Sequence, residues 1–278
     1  MSSRFFILFV LILFVSSCHR KGCTDPLALN YEEKAKKDDG SCEYPPLTTT
    51  TIHFNHVFDL QQVNSSVFED LIFTNEFGTT LSINKLKYHI SDIRFYTTDG
   101  DSLMTDEYHY VDLADNSTLS YTLSGPVLQN SYNGIGFLIG FNQEDNISGA
   151  YSDLNSVNWG WPESLGGGYH HLQLEGRYIN SADDTIGYAY HSGSTIKNDA
   201  GATTTYPENY IWIKLPFTEK NFGESIHVYL EMNVAEWFKN PTTWDLNTSY
   251  NGLMDDYNAQ VLMRENGGDV FSVTSLTD

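Results

Sequence analysis

Basic residues are scarce in this 278-residue chain: 15 Lys and Arg stand against 36 Asp and Glu, a formal charge of −21. Such a surface repels nucleic acid and anionic membrane faces, so no nucleic-acid partner is expected. Cysteine is also scarce. The three cysteines, Cys18, Cys23 and Cys42, all sit near the N-terminus. The body of the chain therefore has no thiolate, which argues against a Cys-ligated zinc site, a blue-copper site or a Cys nucleophile. G-x-S-x-G, H-E-x-x-H and the phosphate-loop pattern are missing as well, and no enzyme is expected. Gly134–Phe141 does contain G-x-G, but its glycines lie inside an apolar run and no helix pattern follows. Long helical patterns are few. Tyr, at 18, outnumbers Lys and Arg together, and a chain rich in Tyr and Thr favours strands.

The one long hydrophobic run, Phe5–Val15, follows Arg4. It is too short to span a bilayer and suits the apolar core of a signal peptide over residues 1–17. It ends in Val15-Ser16-Ser17-Cys18, which resembles a bacterial lipobox. An ordinary signal peptide with an incidental Cys is the alternative. Lipidation at Cys18 anchors the chain to a membrane without a spanning helix. Removing residues 1–17 deletes Arg4 and no acid, taking the charge from −21 to −22. The expected location is the bacterial outer membrane, on its periplasmic side.

Residues 18–44 form a small unit. From Gly22 to Tyr44 it resembles the GCTD-P-A-NY-A-DDGSC-Y repeat of exported bacterial proteins. With Cys18 lipidated, Cys23 and Cys42 are an even pair in an oxidising compartment, and a disulfide is expected. Asp25, Asp38 and Asp39 offer the hard oxygens calcium takes, but an Asp-Gly turn accounts for them and calcium is not expected. Residues 45–49 read as a linker, and residues 50–278 as the main domain.

In that domain short alternating segments are separated by turn signals. Strands are expected at Thr51–Phe58, Phe68–Thr74, Lys85–Thr97, Tyr108–Leu113, Leu119–Leu123, Gly134–Phe141, Ile186–His191, Tyr210–Leu215 and Ile226–Met232. Within Lys85–Thr97 the apolar parity breaks after Ile90, so a bulge is expected near Ser91-Asp92. Asn142–Asn158 reads as a polar loop. Helical spacing appears only over Ala235–Lys239 and Leu253–Glu265. The pattern predicts an all-β fold: an antiparallel β-sandwich with Greek-key-like connections and few peripheral helices.

The densest chemistry lies in Asn158–Tyr178: two Trp in three residues, a Pro, three glycines, then paired His opening an alternating run. Parity places His170 with Leu172 and Leu174, and His171 on the polar face. His56 likewise falls on the apolar face of Thr51–Phe58. His191 shares the parity of Ala189. An imidazole turned inward needs a partner for its ring nitrogens, and a metal or a carboxylate supplies one. A structural role accounts for any one of the three; convergence of two or three makes a metal site. His53, His89, His109 and His171 read as solvent-facing.

Several segments, in order, resemble the MbnP-like copper-binding domain family of exported bacterial proteins. They are Phe54-Asn55-His56, Tyr88-His89-Ile90-Ser91-Asp92, Tyr132 to Gly140, Trp159-Gly160-Trp161, Gly168-Tyr169 through Leu174-Glu175-Gly176, and Tyr190-His191-Ser192-Gly193. The resemblance spans about residues 50–232. It implies a β-sandwich that binds copper, with His56, His170 and His191 as candidate ligands. In some members a Trp near the site is oxidised to kynurenine; the matching positions are Trp159 and Trp161. It also leaves room for a partner protein that loads metal or oxidises the Trp. This sequence departs from the pattern by inserting Pro162–Gly167. The competing expectation is an adhesion or glycan-binding module that displays Trp and Tyr beside the Gly-rich loop.

Overall fold

The computed structural model describes residues 20–195, 197, 209–247 and 251–278. The expected signal segment and Cys18 lie outside the described residues. The described residues fall into two compact units, divided between Pro45 and Pro46.

In the first unit Cys23 and Cys42 are joined by a disulfide. Closing a loop of this length is worth roughly 3 kcal/mol on the chain-entropy model. A short parallel pair, Lys21–Gly22 against Lys37–Asp38, runs beside it. The acids serve turns. Asp25 accepts from the Leu27 amide (2.9 Å) and the Tyr44 hydroxyl (2.8 Å). Asp38 accepts from the Gly40 amide and Asp39 from the Ser41 amide.

The second unit is a sandwich of two sheets. The smaller contains β1 (Leu47–Phe58), and the larger contains β2 (Lys85–Thr97), β3 (Tyr108–Asp112), β4 (Ser131–Ile139), β5 (Leu172–Ile179), β6 (Thr185–Ser192) and β7 (Ile211–Asn221). The smaller also holds β8 (Ser225–Asn233) and β9 (Phe271–Thr277), with the short strands Gln61–Gln62, Ser120–Thr122 and Val127–Leu128 paired to β1. β1 includes Leu47–Thr49, which the sequence assigns to the linker. Phe68–Thr74 yields strand only at Phe73–Thr74. Pairing is antiparallel except for β1 with β8, which run parallel from Ser225↔Thr49 to Asn233↔Val57. β9 has no counterpart in the sequence expectations. Its Phe271 and Val273 alternate and pack on the core, but a register shift before Leu276 breaks the apolar period. Helices are peripheral: a short α1 (Ser152–Ser156) inside the expected polar loop, and α2 (Tyr257–Asn266), capped by Asp256.

Alternation decides what each face meets. Ile52, Phe54, Val228 and Leu230 of one sheet pack on Tyr88, Ile90, Phe95, Ile135, Phe137, Leu172 and Leu174 of the other. The expected bulge is present: Asp92 has φ +52°, and the pairing of β2 with β4 shifts register between Arg94 and Ser91.

β2 organises the larger sheet. On one edge it carries β4 and β5 end to end: β4 reaches Ile139↔Ile90, and β5 starts at Leu172↔Tyr88. β3 lies on the other edge, with His89 opposite Tyr110. At the seam the chain leaves β4 through Gly140, φ +101°. A side chain there is excluded, since its Cβ would stand 2.6 Å from the ring of His171.

Candidate functional site

Tyr88 and His89 are neighbours in β2 and so point to opposite faces. Tyr88 enters the sandwich core and its hydroxyl bonds Nε2 of His56 at 3.0 Å. His56 is buried and is pushed down to about 3 by burial. His89 faces outward but meets no solvent. It and His171, both expected to be exposed, are buried at 0 % and 2 % exposure. The cause is the segment 141–171, which folds over this face and forms a second apolar cluster: Phe141, Leu154, Trp159 and Tyr169, with Tyr108, Tyr110 and Tyr151 around them. An aromatic ring buries about 150–250 Å². At about 25 cal/mol per Å², burying Trp159 or Tyr169 contributes roughly 4–6 kcal/mol as an upper estimate. That is enough to hold a loop with little regular structure. Polar ties add register: Tyr169 donates to Asn155 and accepts from the Tyr151 amide, both at 2.9 Å.

The Trp-Gly-Trp segment is half of a small hairpin. His170 N–H donates to the Trp159 carbonyl and Trp161 N–H to the Gly168 carbonyl, each at 2.9 Å. Pro162–Gly167, the insertion, is its tip, closed by left-handed Gly166. Both indoles are buried, at 1 % and 3 % exposure, so neither is an open stacking surface. β5 starts only at Leu172, and His170 does not follow the parity of the leucines. Its ring lies among Trp159 (5.3 Å between centroids), Trp161 (4.9 Å) and His191 (5.3 Å).

His170 and His191 are thus brought together, and His56 is not: among the described residues its one aromatic contact is Tyr88. Each ring of the pair has one nitrogen committed. His170 Nδ1 bonds the Trp159 carbonyl at 3.0 Å. A carbonyl only accepts, so Nδ1 carries the proton and Nε2 keeps a bare lone pair. His191 Nε2 bonds a Glu175 oxygen at 2.7 Å, which leaves Nδ1 bare in the neutral ring. The same Glu175 oxygen accepts from Lys85 at 2.6 Å. Burial pushes Glu175 up, but hydrogen bonds from Lys85 and His191 outweigh it and hold the carboxyl below its usual range. Burial holds His170 down at about 4, against the raising effect of its bond to Trp159.

Behind this pair, Trp159 Nε1–H donates to Nδ1 of His89 at 3.0 Å. His89 Nε2 and both nitrogens of His171 are buried with no hydrogen-bond partner among the described residues. Nearby backbone at His170 and Asn209 favours the protonated rings slightly, but outside hydrogen-bonding geometry. Burial wins, and His89 is held well below its ordinary value and His171 at about 4. The residues missed by sequence reasoning are therefore His89 and His171. One signal for them was the density of aromatics in the covering segment (Phe141, Tyr151, Trp159, Tyr169), which a solvated loop does not need. Asp92, Asp106 and Asp145 form the one described group of three metal-capable side chains whose ligand atoms lie within 4.8 Å of one another; none is a His.

A profile of the MbnP family matches residues 48–255. The chain belongs to the MbnP family. Among solved structures it is similar to MbnP from Methylosinus trichosporium, with 14 % identity, a TM-score of 0.53, and coverage of 83 % of this chain and 100 % of that one. At that identity the likeness is one of fold, and the β-sandwich is the fold of this MbnP-family domain. No curated protein sequence matches the chain.

Proposed function

We propose that this MbnP-family protein is a lipid-anchored, extracytoplasmic, non-catalytic metal-binding protein that holds copper for acquisition or handling. The metal takes His170 Nε2 and His191 Nδ1, with Trp159 and Trp161 as walls. The observation that carries this reading is the commitment of the opposite nitrogens, one to a backbone carbonyl and one to a carboxylate. That is how ligand histidines are fixed in tautomer and orientation. Imidazole nitrogens suit copper, and Glu175, itself held by Lys85, is in place to orient and tune His191.

The test is copper loading followed by metal analysis. Wild type and His56→Ala retain stoichiometric copper; His170→Ala and His191→Ala lose it, with near-ultraviolet circular dichroism reporting the fold. Equal uptake by all four proteins overturns the assignment. The anchor is tested separately: an intact mass of the chain from its host carries the acyl groups on Cys18, and an unmodified mature chain overturns lipidation. The expected location is the outer membrane, facing the periplasm. A protein that loads the metal or oxidises Trp159 or Trp161 is compatible with this reading.

A further inference from the structure

With Trp159, Trp161, Trp237 and Trp244 all buried, one indole is open: Trp212 on β7, 40 % exposed. It stands on the outer face of the larger sheet, opposite Leu138, which lies two residues before Gly140 at the histidines' seam. There Leu138 pairs with Trp212, and Gly136 pairs with Arg94 on one side and Lys214 on the other. The Arg94 guanidinium lies 5.5 Å from the Trp212 ring centroid, and Lys214 Nζ lies 4.1 Å from that of Tyr96. Gly136 makes this possible, because a Cβ there would come within 3.1 Å of the Tyr96 ring. Met104, also exposed, touches Arg94.

Two cations stand on this face of an acidic chain without a described acidic partner. Acids outnumber bases 36 to 15, yet neither Arg94 nor Lys214 is in a salt bridge with a described residue, whereas Lys85, Lys87, Lys220 and Lys239 all are. Arg94 Nε is buried without a partner. A cation over an aromatic face keeps its full charge. We infer that this face binds an acidic glycan: the apolar face of a pyranose stacks on Trp212, and uronate carboxylates pair with Arg94 and Lys214. Arginine and lysine both suit such anions, Arg through its planar fork. The two cations come from the strands on either side of β4. A ligand with more than one uronate unit offers each cation its own carboxylate.

This surface is independent of the copper reading and is tested on metal-free protein. The probe is trigalacturonate, followed by calorimetry and by Trp emission, for which Trp212 is the exposed reporter. Saturable binding is expected, weakened about tenfold by Arg94→Gln or Lys214→Gln, each the loss of one charged hydrogen-bonding group. Trp212→Ala abolishes it, and neutral galactotriose and monomeric galacturonate bind far more weakly. Absence of binding at millimolar trigalacturonate overturns the inference. So does binding that survives Trp212→Ala, or equal binding of inorganic polyphosphate, which would reduce the patch to its charge.

Discussion

The indole N–H of Trp159 donates to Nδ1 of His89 across 3.0 Å. Indole nitrogen is only a donor, so His89 Nδ1 is bare and the neutral ring carries its proton on Nε2. The Trp159 carbonyl meanwhile accepts from Nδ1 of His170. One residue thereby joins the buried imidazole behind the site to the candidate ligand in front of it.

That link has a measurable energy. Trp159→Phe leaves His89 Nδ1 without its donor, and His89→Leu leaves the indole N–H without its acceptor. Each single change should destabilise the protein. The double variant should cost less than the two together by about 1 kcal/mol, the worth of one buried hydrogen bond. Denaturant unfolding of the four proteins gives the coupling. Simple additivity would show that the contact contributes nothing.

The buried imidazoles also set a pH dependence. His56 is held at about 3, His170 and His171 at about 4, and His89 well below its ordinary value, all chiefly by burial. Each is neutral when folded and titrates near 6.5 when unfolded. The sign follows: stability is full above about pH 6.5 and falls as pH drops toward 4, because the unfolded chain binds protons the folded one refuses. Each such group removes up to about 1.4 kcal/mol per pH unit in that window. Urea midpoints from pH 8 to 5 should therefore fall, and His56→Phe should flatten the slope. A flat profile would mean that these rings are charged or exposed.

Glu175 offers a sharper test of the metal site than removal of a ligand. Glu175→Gln keeps the shape but loses the charge that orients His191 and neutralises Lys85. Loss of an outer partner of this kind typically lowers metal affinity about 10- to 100-fold. Competition with a copper chelator reads the affinity, and the copper spectrum should change as well. Unchanged affinity and spectrum would place the metal elsewhere.

Much of this architecture was legible because strand parity is a local signal. The run of Lys85–Thr97, its bulge at Ser91-Asp92 and the inward setting of His56 all follow from which side chains alternate. His89 and His171 were not legible for the same reason. Alternation assigns a residue to a face, but burial of that face depends on the distant segment that covers it. His170 was misdirected by one step of backbone: the hairpin with Trp159 ends the strand's periodicity before Leu172. β9 went unread because the bulge between Val273 and Ser275 breaks its apolar alternation after a single pair, Phe271 and Val273.

The last glycine of the Leu174-Glu175-Gly176 segment has a reason in packing. A Cβ on Gly176 would lie 2.0 Å from the Ser82 carbonyl oxygen and 2.6 Å from the Tyr188 hydroxyl. Those two groups bond each other at 2.8 Å, and Ser82 N–H donates to the Arg177 carbonyl at 2.7 Å. An alanine there must push backbone and not a flexible tip. Overpacking of this kind costs about 1–3 kcal/mol, and disturbing either hydrogen bond adds about 1 more. Gly187, in the facing strand at Arg177, is the control: its nearest neighbour to a new Cβ is a carbonyl oxygen 3.8 Å away. Gly176→Ala should lower the denaturant midpoint strongly at constant m, while Gly187→Ala leaves it nearly unchanged. Equal effects would show that Gly176 is needed for backbone freedom generally and not for the approach of Ser82 and Tyr188.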